Sequence, residues 1–409
     1  MKKKIAVIIE RANIGLGGAE RSVFELASAL TSLSLEVDIL AAKGQTNARN
    51  IHILCQDMPG ERVGYFTFAE ALKKYLSQNH YSLIHSVLPF DFADIYQPRG
   101  GTYAESIVRN AASYQNKLIE SYKRLTAFAN FRRSTLLRAE RKLCKKPNGA
   151  VIVALSQYVA EQFKRHYGLD DERIMIIHNG IRIHRQIDTE QADRFRTQIL
   201  TRLGLKEADN PVLFLFVAHN FRLKGLSAAI KAQKYEVEKY GQKRHVCLII
   251  VGSGRAGKYI RQAKKLGVDK QIVFLGTVQH IQNVLSIIDV AILPTFYDPC
   301  SRYILEALAA GKPVITTRFN GATDLFVNNR HGRVVDKPED IPALAEAMNY
   351  FTDTNNIQKA ADAIIADNLT EKTSINRVAK QLEGLYESIL HSSGRPSRLG
   401  LAETKRPLP

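Results

Sequence analysis

Two acidic side chains lie eight positions apart in the second half of the chain, Asp298 in a predicted loop and Glu306 in the helix predicted to follow it. A loop carboxylate can accept hydrogen bonds from sugar hydroxyls, and a helix carboxylate can accept bonds from both hydroxyls of a ribose. The N-terminal amides of that helix, which is predicted to start near Cys300, would attract a phosphate. The segment therefore predicts a site for a phosphorylated ribose and a sugar.

Two cations follow an earlier predicted strand, in residues 218–225. Arg222 offers a planar fork for two phosphate oxygens, whereas Lys224 offers a point charge. Both side chains are predicted to reach a diphosphate. Taken alone, the two residues are explained equally well as a charged start to a helix.

Glycine-rich turns follow two other predicted strands. Gly17 and Gly18 lie between the first strand and its helix, where a backbone without side chains lets a phosphate or a sugar approach closely. The run lacks the third glycine of a dinucleotide-binding fingerprint, and a plain tight turn is the alternative. Gly252 belongs to a Gly-Ser-Gly turn in the second half, which is a weak signal by itself.

The elements that must position these residues alternate between strand and helix. The strands are continuous apolar runs, which is typical of parallel sheets covered on both faces. Strands are predicted at 5–9, 37–41, 83–87, 150–154 and 174–178, and then at 212–218, 246–251, 272–275, 290–293 and 314–316. Helices are predicted at 19–30, 66–76 and 156–167, and near the end at 341–351, 357–367 and 373–390. Because ligands bind where the carboxyl ends of such strands meet, the candidate residues should gather at one edge of a sheet.

The repeated alternation predicts an α/β protein with two Rossmann-like, doubly wound domains that face a cleft. The length of 409 residues also exceeds what one hydrophobic core usually supports. We expect an N-terminal domain at 1–183 and a C-terminal domain at 184–372, with a polar stretch at 182–210 between the two series of strands. A helix at 373–391 follows, and the tail at 392–409, rich in Ser, Pro, Gly and Arg, is predicted to be disordered.

Charge and cysteine content limit the class of protein. The formal net charge of +18 indicates an anionic partner. The four cysteines lie far apart without zinc-binding spacing, so buried reduced thiols are expected. No run approaches the ~18 apolar residues of a membrane span. We therefore expect no zinc site and no membrane crossing.

One segment, residues 104–146, breaks the alternation and is predicted to form one or two long helices without a strand. It holds eleven Lys or Arg against three Glu, with tyrosine and phenylalanine interleaved. It could be a solvated helical face, or an interfacial helix that docks on anionic lipid. A nucleic-acid surface is a third interpretation, but no helix-turn-helix, zinc-finger or RRM pattern supports it, and we expect no nucleic-acid partner.

The segment from Asp298 to Val314 resembles the donor-site element of retaining GT-B glycosyltransferases of family 4. An acid is followed eight positions later by a second acid, and then by Ala-x-Ala-x-Gly-x-Pro-Val. The resemblance extends over roughly residues 3–390. It implies a GT-B fold whose last helix crosses back to the N-terminal domain.

Within this family the chain looks most like the lipopolysaccharide core glucosyltransferases. Arg21 soon after the Gly-Gly pair, the sequence Thr-Tyr-Ala-Glu at 102–105 and the basic insert carry that likeness. It implies a retaining transfer of a hexose from UDP-glucose to a lipid-linked saccharide, without a metal and without a cofactor. It also implies a cytoplasmic protein, peripheral on the inner face of the cytoplasmic membrane and attached through residues 104–146.

The resemblance assigns catalytic roles to Asp298, Glu306, Arg222 and Lys224. Further donor contacts are expected from Gly17, Gly18, Gly252, Val278, Cys300, Ser301 and Arg302. Three of these positions depart from the family pattern. Asp298 is one methylene shorter than the usual Glu, while Ser301 and Arg302 stand where a glycine and an aliphatic residue are usual.

The acceptor side is less clearly marked. Many family members carry a His or Asp at a strand end of the N-terminal domain, and the comparable stretch here, 97–101, has neither. His85, Asp94 and Arg99 are the candidates, with a core position as the alternative for His85. Two other functions stay open at this point: a UDP-sugar 2-epimerase of the same fold, and a non-catalytic basic binding protein.

Overall fold

The computed structural model describes residues 3–13, 18–58, 60, 62–114, 116–183, 186–241 and 244–391. Gly17 and the tail at 392–409 lie outside the described residues. The chain folds as two compact units. The first comprises the chain up to residue 108, residues 121–182 and the final helix from Ile375, and the second comprises residues 109–120 and 183–374.

The described elements alternate as the sequence predicts. The strands are β1 Lys4–Ala12, β2 Glu36–Gly44, β3 Ile51–Ile53, β4 Leu83–Ser86, β5 Ile95–Tyr96, β6 Val151–Ala154, β7 Ile174–Ile176, β8 Val212–Val217, β9 Val246–Val251, β10 Ile272–Gly276, β11 Val290–Leu293, β12 Val314–Thr317 and β13 Gly332–Val335. The α-helices are α1 Gly18–Ser32, α2 Tyr65–Gln78, α3 Tyr103–Ala112, α4 Lys117–Thr126, α5 Phe131–Lys145, α6 Gln157–Tyr167, α7 Thr189–Leu203, α8 Leu226–Tyr240, α9 Gly257–Leu266, α10 Ile281–Ile287, α11 Arg302–Ala309, α12 Ile341–Tyr350, α13 Thr354–Ala366, α14 Leu369–Lys372 and α15 Ile375–His391.

Each unit contains one parallel sheet. The strand order is β3-β2-β1-β4-β5-β6-β7 in the first unit and β10-β9-β8-β11-β12-β13 in the second. Both orders reverse once, between β1 and β4 and between β8 and β11, and open parallel sheets bind ligands at such a reversal. The predicted fold class, two Rossmann-like α/β domains, is confirmed.

Three strands and two helices, α7 and the four-residue α14, were not predicted. The strands β3 and β5 have three and two residues, too few for a periodic signal, and β13 begins at a glycine. Helix α7 occupies the stretch 182–210, which was expected only to separate the domains. Its start is fixed by Asp188, whose side chain accepts a hydrogen bond from the amide of Gln191 at 2.9 Å, and its buried side includes Ile199 and Leu200.

The basic insert at 104–146 contains three α-helices, α3, α4 and α5, rather than one or two. Two asparagines interrupt it, because each caps a new helix. The side chain of Asn116 accepts from the amides of Leu118 and Ile119 at 3.0 and 3.2 Å, and that of Asn130 accepts from the amide of Arg133 at 3.0 Å. The described part of the insert is therefore three short helices rather than one continuous basic helix.

Helix α5 belongs to the core of the first unit through a buried carboxylate. Glu140 accepts hydrogen bonds from the Tyr96 hydroxyl and the Tyr103 amide, both at 2.8 Å, and from the Tyr167 hydroxyl. Burial raises the pKa of Glu140 to about 7. Helix α4, in contrast, has no buried residue.

The last helix, α15, packs on α1 within the first unit, as the resemblance implies. Leu382 and Tyr386 belong to the same buried cluster as Leu26 of α1. The approach depends on Gly180, where a Cβ would lie 2.9 Å from the Cα of Ile375. The turn after β7 must therefore be glycine at this position.

A buried carboxyl group in the second unit makes stability depend on pH. Glu236 of α8 is 2% exposed, and burial raises its pKa from 4.5 to about 7. Because the folded state disfavours the charged form, Glu236 lowers stability as the pH rises through this interval. We expect Glu236→Gln to raise the free energy of unfolding by about 2 kcal/mol near pH 8 and by little near pH 5.

Urea unfolding at the two pH values measures this difference, and Glu238→Gln is the matched control. Glu238 lies on the same helix, is largely exposed and pairs with Lys234 at 2.9 Å. Such a pair contributes little to stability, so its loss should change the free energy of unfolding by less than about 1 kcal/mol. An equal gain for Glu236→Gln at both pH values would contradict the assignment.

Candidate active site

The predicted donor residues of the second unit follow the carboxyl ends of its central strands. Arg222 and Lys224 lie in the loop after β8, Gly252 follows β9, and Asp298 lies in the loop after β11. The strands β8 and β11 are the pair at which the strand order reverses. The parallel sheet thus brings these residues to one edge.

Lys224 and Asp298 form an ion pair that joins the loops after β8 and β11. The Nζ of Lys224 donates to Asp298 Oδ2 at 2.6 Å and to the carbonyl of Tyr297 at 3.0 Å. Both side chains are largely buried. The sequence assigned Lys224 to a diphosphate and Asp298 to a sugar; the structure adds that each orients the other. One of the three ammonium hydrogens remains for a ligand.

Glycines bring the loop backbones into contact. Gly225 has φ +81°, and a Cβ there would lie 1.9 Å from the carbonyl oxygen of Pro294. Gly252 has φ +145°, and its Cβ would lie 1.8 Å from the carbonyl oxygen of Ala218. Neither position can accept a side chain without a backbone shift. Gly252 therefore holds the loops after β8 and β9 together. Val278, another predicted donor residue, is half-buried beyond the end of β10.

The loop that carries Asp298 is supported by the loop after β12. The Asp298 amide donates to the carbonyl of Phe319 at 2.9 Å, and the Gly321 amide donates to the carbonyl of Asp298 at 2.9 Å. Asp298 Oδ1 also accepts from the amide of Cys300 at 3.3 Å. The Cys300 side chain is buried, so its expected donor contact is limited to the backbone.

The side chain of Asn320 fixes the start of α11, a role that was not predicted from the sequence. Its fully buried side chain accepts from the amides of Ser301 and Ala322 at 3.2 and 3.1 Å, and donates to Thr316 Oγ1 at 3.0 Å. The Ser301 amide, which was expected to bind phosphate, is therefore already used inside the loop. The Asn320-Gly321 pair after a predicted strand was the available signal, since Asn-Gly marks a turn.

Helix α11 begins at Arg302, slightly later than predicted. Ser301 is its N-cap and accepts from the amide of Ile304. Glu306 lies one turn into the helix and is partly exposed, with its Oε1 3.7 Å from Arg302 Nη2. The extra positive charge of Arg302 is thus offset in part by Glu306.

Arg222 is held by a segment that the sequence analysis did not connect with it. Its Nη1 donates to the carbonyl of Asn110 at 2.9 Å and to Ser113 Oγ, and its Nη2 donates to Asn110 Oδ1 at 3.2 Å. The guanidinium carbon lies 3.9 Å from the ring centroid of Tyr114. This segment belongs to the part of the basic insert that groups with the second unit.

The acceptor-side candidates of the first unit occupy different environments. His85 is fully buried, and its Nδ1 lies 2.6 Å from the Tyr386 hydroxyl. Burial, aided by the charge of Arg99, lowers the pKa of His85 to about 3, so the ring is neutral at physiological pH. Asp94 lies at the amino end of β5, where its Oδ2 accepts from the amide of Ile84 at 2.8 Å, and burial raises its pKa. Both side chains thus have partners within the first unit, and an acceptor contact for either one stays a prediction.

Arg99 is the third acceptor-side candidate. It follows the carboxyl end of β5, is half-buried, and its Nη1 donates to Asn179 Oδ1 at 3.4 Å. Ser22, near the start of α1, donates to the same oxygen at 3.1 Å. Gly18 forms the exposed start of α1. Arg99 and Gly18 therefore lie beyond the carboxyl ends of the first sheet.

Within the described ranges, no helix combines the length and apolar character needed to span a bilayer. The same ranges contain no group of three His, Cys, Asp or Glu side chains arranged around a possible metal ion. All four cysteines are buried thiols.

Two sequence families match the two halves of the chain. Residues 16–185 match "Glycosyltransferase Family 4" and residues 201–367 match "Glycosyl transferases group 1". Among curated proteins, the lipopolysaccharide glucosyltransferase WaaG of Escherichia coli K12 is 25% identical, over 66% of this chain and 74% of its own length.

Solved structures share the fold. The crystal structure of WaaG superposes with a TM-score of 0.73 at 18% identity, over 93% of this chain and 99% of that one. Anabaena Alr3699/HepE in complex with UDP-glucose gives a TM-score of 0.66 at 18% identity, over 94% and 99% of the two chains.

These matches favour a transferase over the epimerase and over a non-catalytic binding protein. They also agree with the two parallel sheets and with the loops gathered after β8 and β11. The chain is therefore a glycosyltransferase with the GT-B fold, with a Glycosyltransferase Family 4 domain in its first half and a glycosyl transferases group 1 domain in its second.

Proposed function

We propose that this glycosyltransferase moves a hexose, glucose in the first instance, from a UDP-sugar to a saccharide of a lipid-linked glycan such as lipopolysaccharide core. The observation that carries the proposal is the Lys224–Asp298 ion pair at the strand reversal, with Arg222 on the same loop. The substrates of two related proteins support these substrate classes. WaaG is a lipopolysaccharide glucosyltransferase, and the HepE structure contains UDP-glucose.

The chemistry follows from charge placement. The bond between the anomeric carbon and the diphosphate breaks, the acceptor oxygen bonds to that carbon on the same face, and the acceptor proton passes to the leaving phosphate. The negative charge that develops on UDP is met by Arg222 and by the remaining donor of Lys224, in positions set before the reaction. This retaining, metal-independent scheme needs no protein base, and a structural role for His85 is compatible with it.

Asp298 and Glu306 supply the acceptors of the proposed donor site. Lys224 holds Asp298 Oδ2, and lone pairs of the carboxylate remain for hydroxyls of the hexose. Glu306, partly exposed on α11, would accept from both ribose hydroxyls of UDP. The shorter Asp298 side chain would then be compensated by the cation that orients it.

Loss of Glu306 should weaken nucleotide binding. Glu306→Ala removes two charge-assisted hydrogen bonds, and we expect the UDP dissociation constant to rise by about tenfold to a hundredfold. Isothermal titration with UDP measures this constant.

A thermal-shift comparison of UDP-, GDP- and ADP-sugars on the unmodified protein tests which nucleotide base the site binds. The largest rise in melting temperature is expected for the uridine donors.

Glu339→Ala is the matched control, because Glu339 is an exposed acid of the same unit away from the strand reversal. It should leave UDP affinity unchanged. Unchanged affinity in Glu306→Ala, with folding verified by its melting temperature, would refute the proposed donor site.

We also propose that helix α4 docks on an anionic membrane, which would place the enzyme on the inner face of the cytoplasmic membrane. Three apolar side chains of α4 are exposed at helical spacing: Leu118 at 82%, Tyr122 at 61% and Leu125 at 77%. Lys117 and Arg124 lie beside this stripe on the same helix. An exposed apolar stripe flanked by cations is the pattern of an interfacial helix, and it narrows the predicted docking surface from 104–146 to α4.

Replacing both Leu118 and Leu125 by Ser should weaken membrane binding, because each substitution removes apolar surface that would enter the lipid. We expect the double variant to partition at least about tenfold less onto vesicles containing phosphatidylglycerol, measured by co-sedimentation at low salt. Ile365→Ser is the control, since Ile365 is 70% exposed on α13. Equal partitioning of the unmodified enzyme onto neutral and anionic vesicles would count decisively against docking, and tighter salt-sensitive binding to RNA would favour the nucleic-acid interpretation.

A further inference from the structure

The end of helix α3 contacts the proposed donor site at two points. Asn110, Ser113 and Tyr114 surround the guanidinium of Arg222, as described above. The guanidinium carbon of Arg109 lies 3.8 Å from the ring centroid of Phe319, whose carbonyl accepts from the Asp298 amide. Residues 109–114 thus touch the loop after β8 and the loop that supports Asp298.

We infer that residues 109–114 position Arg222 for the donor diphosphate, so that this part of the basic insert belongs to the donor site. The inference rests on the proposed function, because it assigns a positioning role toward a UDP ligand. Asn110, Ser113 and Tyr114 are positioning residues that act through Arg222.

The hydrogen bonds of Arg222 leave one side of its guanidinium available to a ligand. A guanidinium has five N–H donors in one plane. Nη1 uses both of its hydrogens, on the Asn110 carbonyl and on Ser113 Oγ, and Nη2 uses one on Asn110 Oδ1. These three bonds occupy the end of the guanidinium. The side formed by Nε and the second hydrogen of Nη2 is left, and it is a fork that matches two oxygens of a phosphate.

Stacking completes the alignment. The Tyr114 ring lies against the guanidinium face, at 3.9 Å from its central carbon, so it restricts rotation of the plane. A free arginine side chain loses rotamer entropy when it is fixed. Because Arg222 is already fixed before a ligand arrives, UDP would bind without that cost. Contacts that hold Arg222 in this way should therefore raise UDP affinity rather than compete with UDP.

The test is a double-mutant cycle between Ser113 and Arg222, read out as the dissociation constant of UDP. We expect Ser113→Ala to weaken UDP binding by about fivefold to tenfold, since it removes a hydrogen bond to a charged group. Ser113→Thr retains the hydroxyl and should restore affinity to within about twofold of the unmodified enzyme. In the Arg222→Ala background, Ser113→Ala should have no further effect.

Ser106→Ala is the matched control, because Ser106 lies on α3 but its hydroxyl donates to the Tyr103 carbonyl of the same helix at 2.9 Å. It should bind UDP as the unmodified enzyme does. A merely structural role for Ser113 would instead give the same loss with and without Arg222, which overturns the inference. Unchanged or tighter UDP binding in Ser113→Ala also overturns it.

The outcomes separate this inference from the proposed function. If the unmodified enzyme binds neither UDP nor inorganic pyrophosphate, the proposed donor site is wrong and the inference falls with it. If Arg222→Ala binds UDP as tightly as the unmodified enzyme, Arg222 is not a donor ligand and the inference is wrong while a UDP site remains. If only Ser113→Ala lacks an effect, the proposed function stands and the positioning role is wrong.

Discussion

The ion pair between Lys224 and Asp298 makes one site out of two loops that are distant in the sequence. Parallel strands deliver both loops to the same edge, and the reversal of strand order between β8 and β11 opens space between them. At backbone level, Gly225 against Pro294 sets how closely the loops approach. The pair and the glycine contact act together, since a wider separation would break the 2.6 Å bond and leave a largely buried charge without its partner.

The other proposed donor residues depend on supports outside their own loops. Asn320, in the loop after β12, accepts a hydrogen bond from the Ser301 amide and so fixes the start of α11. Arg222 donates to the carbonyl of Asn110 in α3. Polar side chains that are satisfied by buried partners keep a fixed orientation, and electrostatic stabilisation of a leaving group requires such orientation. The site is therefore a product of four loops and one helix end rather than of the acidic motif alone.

The features that local sequence patterns encode could be predicted from the sequence. Continuous apolar runs located most strands, and the helix predicted at 156–167 corresponds to α6, which Ser156 caps by accepting from the Val159 amide at 3.2 Å. Asn110 was missed because its partner, Arg222, lies 112 positions away in the chain, and no periodicity records such a contact. Asn320 was missed although its Asn-Gly pair marks a turn, because that signal does not show that its side chain holds the amide of Ser301. His85 was ambiguous for the same reason, since its partner, Tyr386, comes from the last helix. Gly17 lies outside the described residues, so its predicted donor contact stays a prediction.

The chain passes between the two units four times, near residues 108, 120, 182 and 374, so neither unit is one continuous stretch of polypeptide. Helix α15, the last described element to leave the ribosome, covers the apolar face of α1 that includes Leu26 and Leu30. During synthesis that face of α1 stays uncovered until the second unit has been translated and α15 has followed it. Nascent chains of this enzyme therefore expose a hydrophobic surface for most of translation, which is the kind of surface that chaperones bind. If the gene were split at its midpoint, each of the two encoded fragments would lack a part of the core of its own unit.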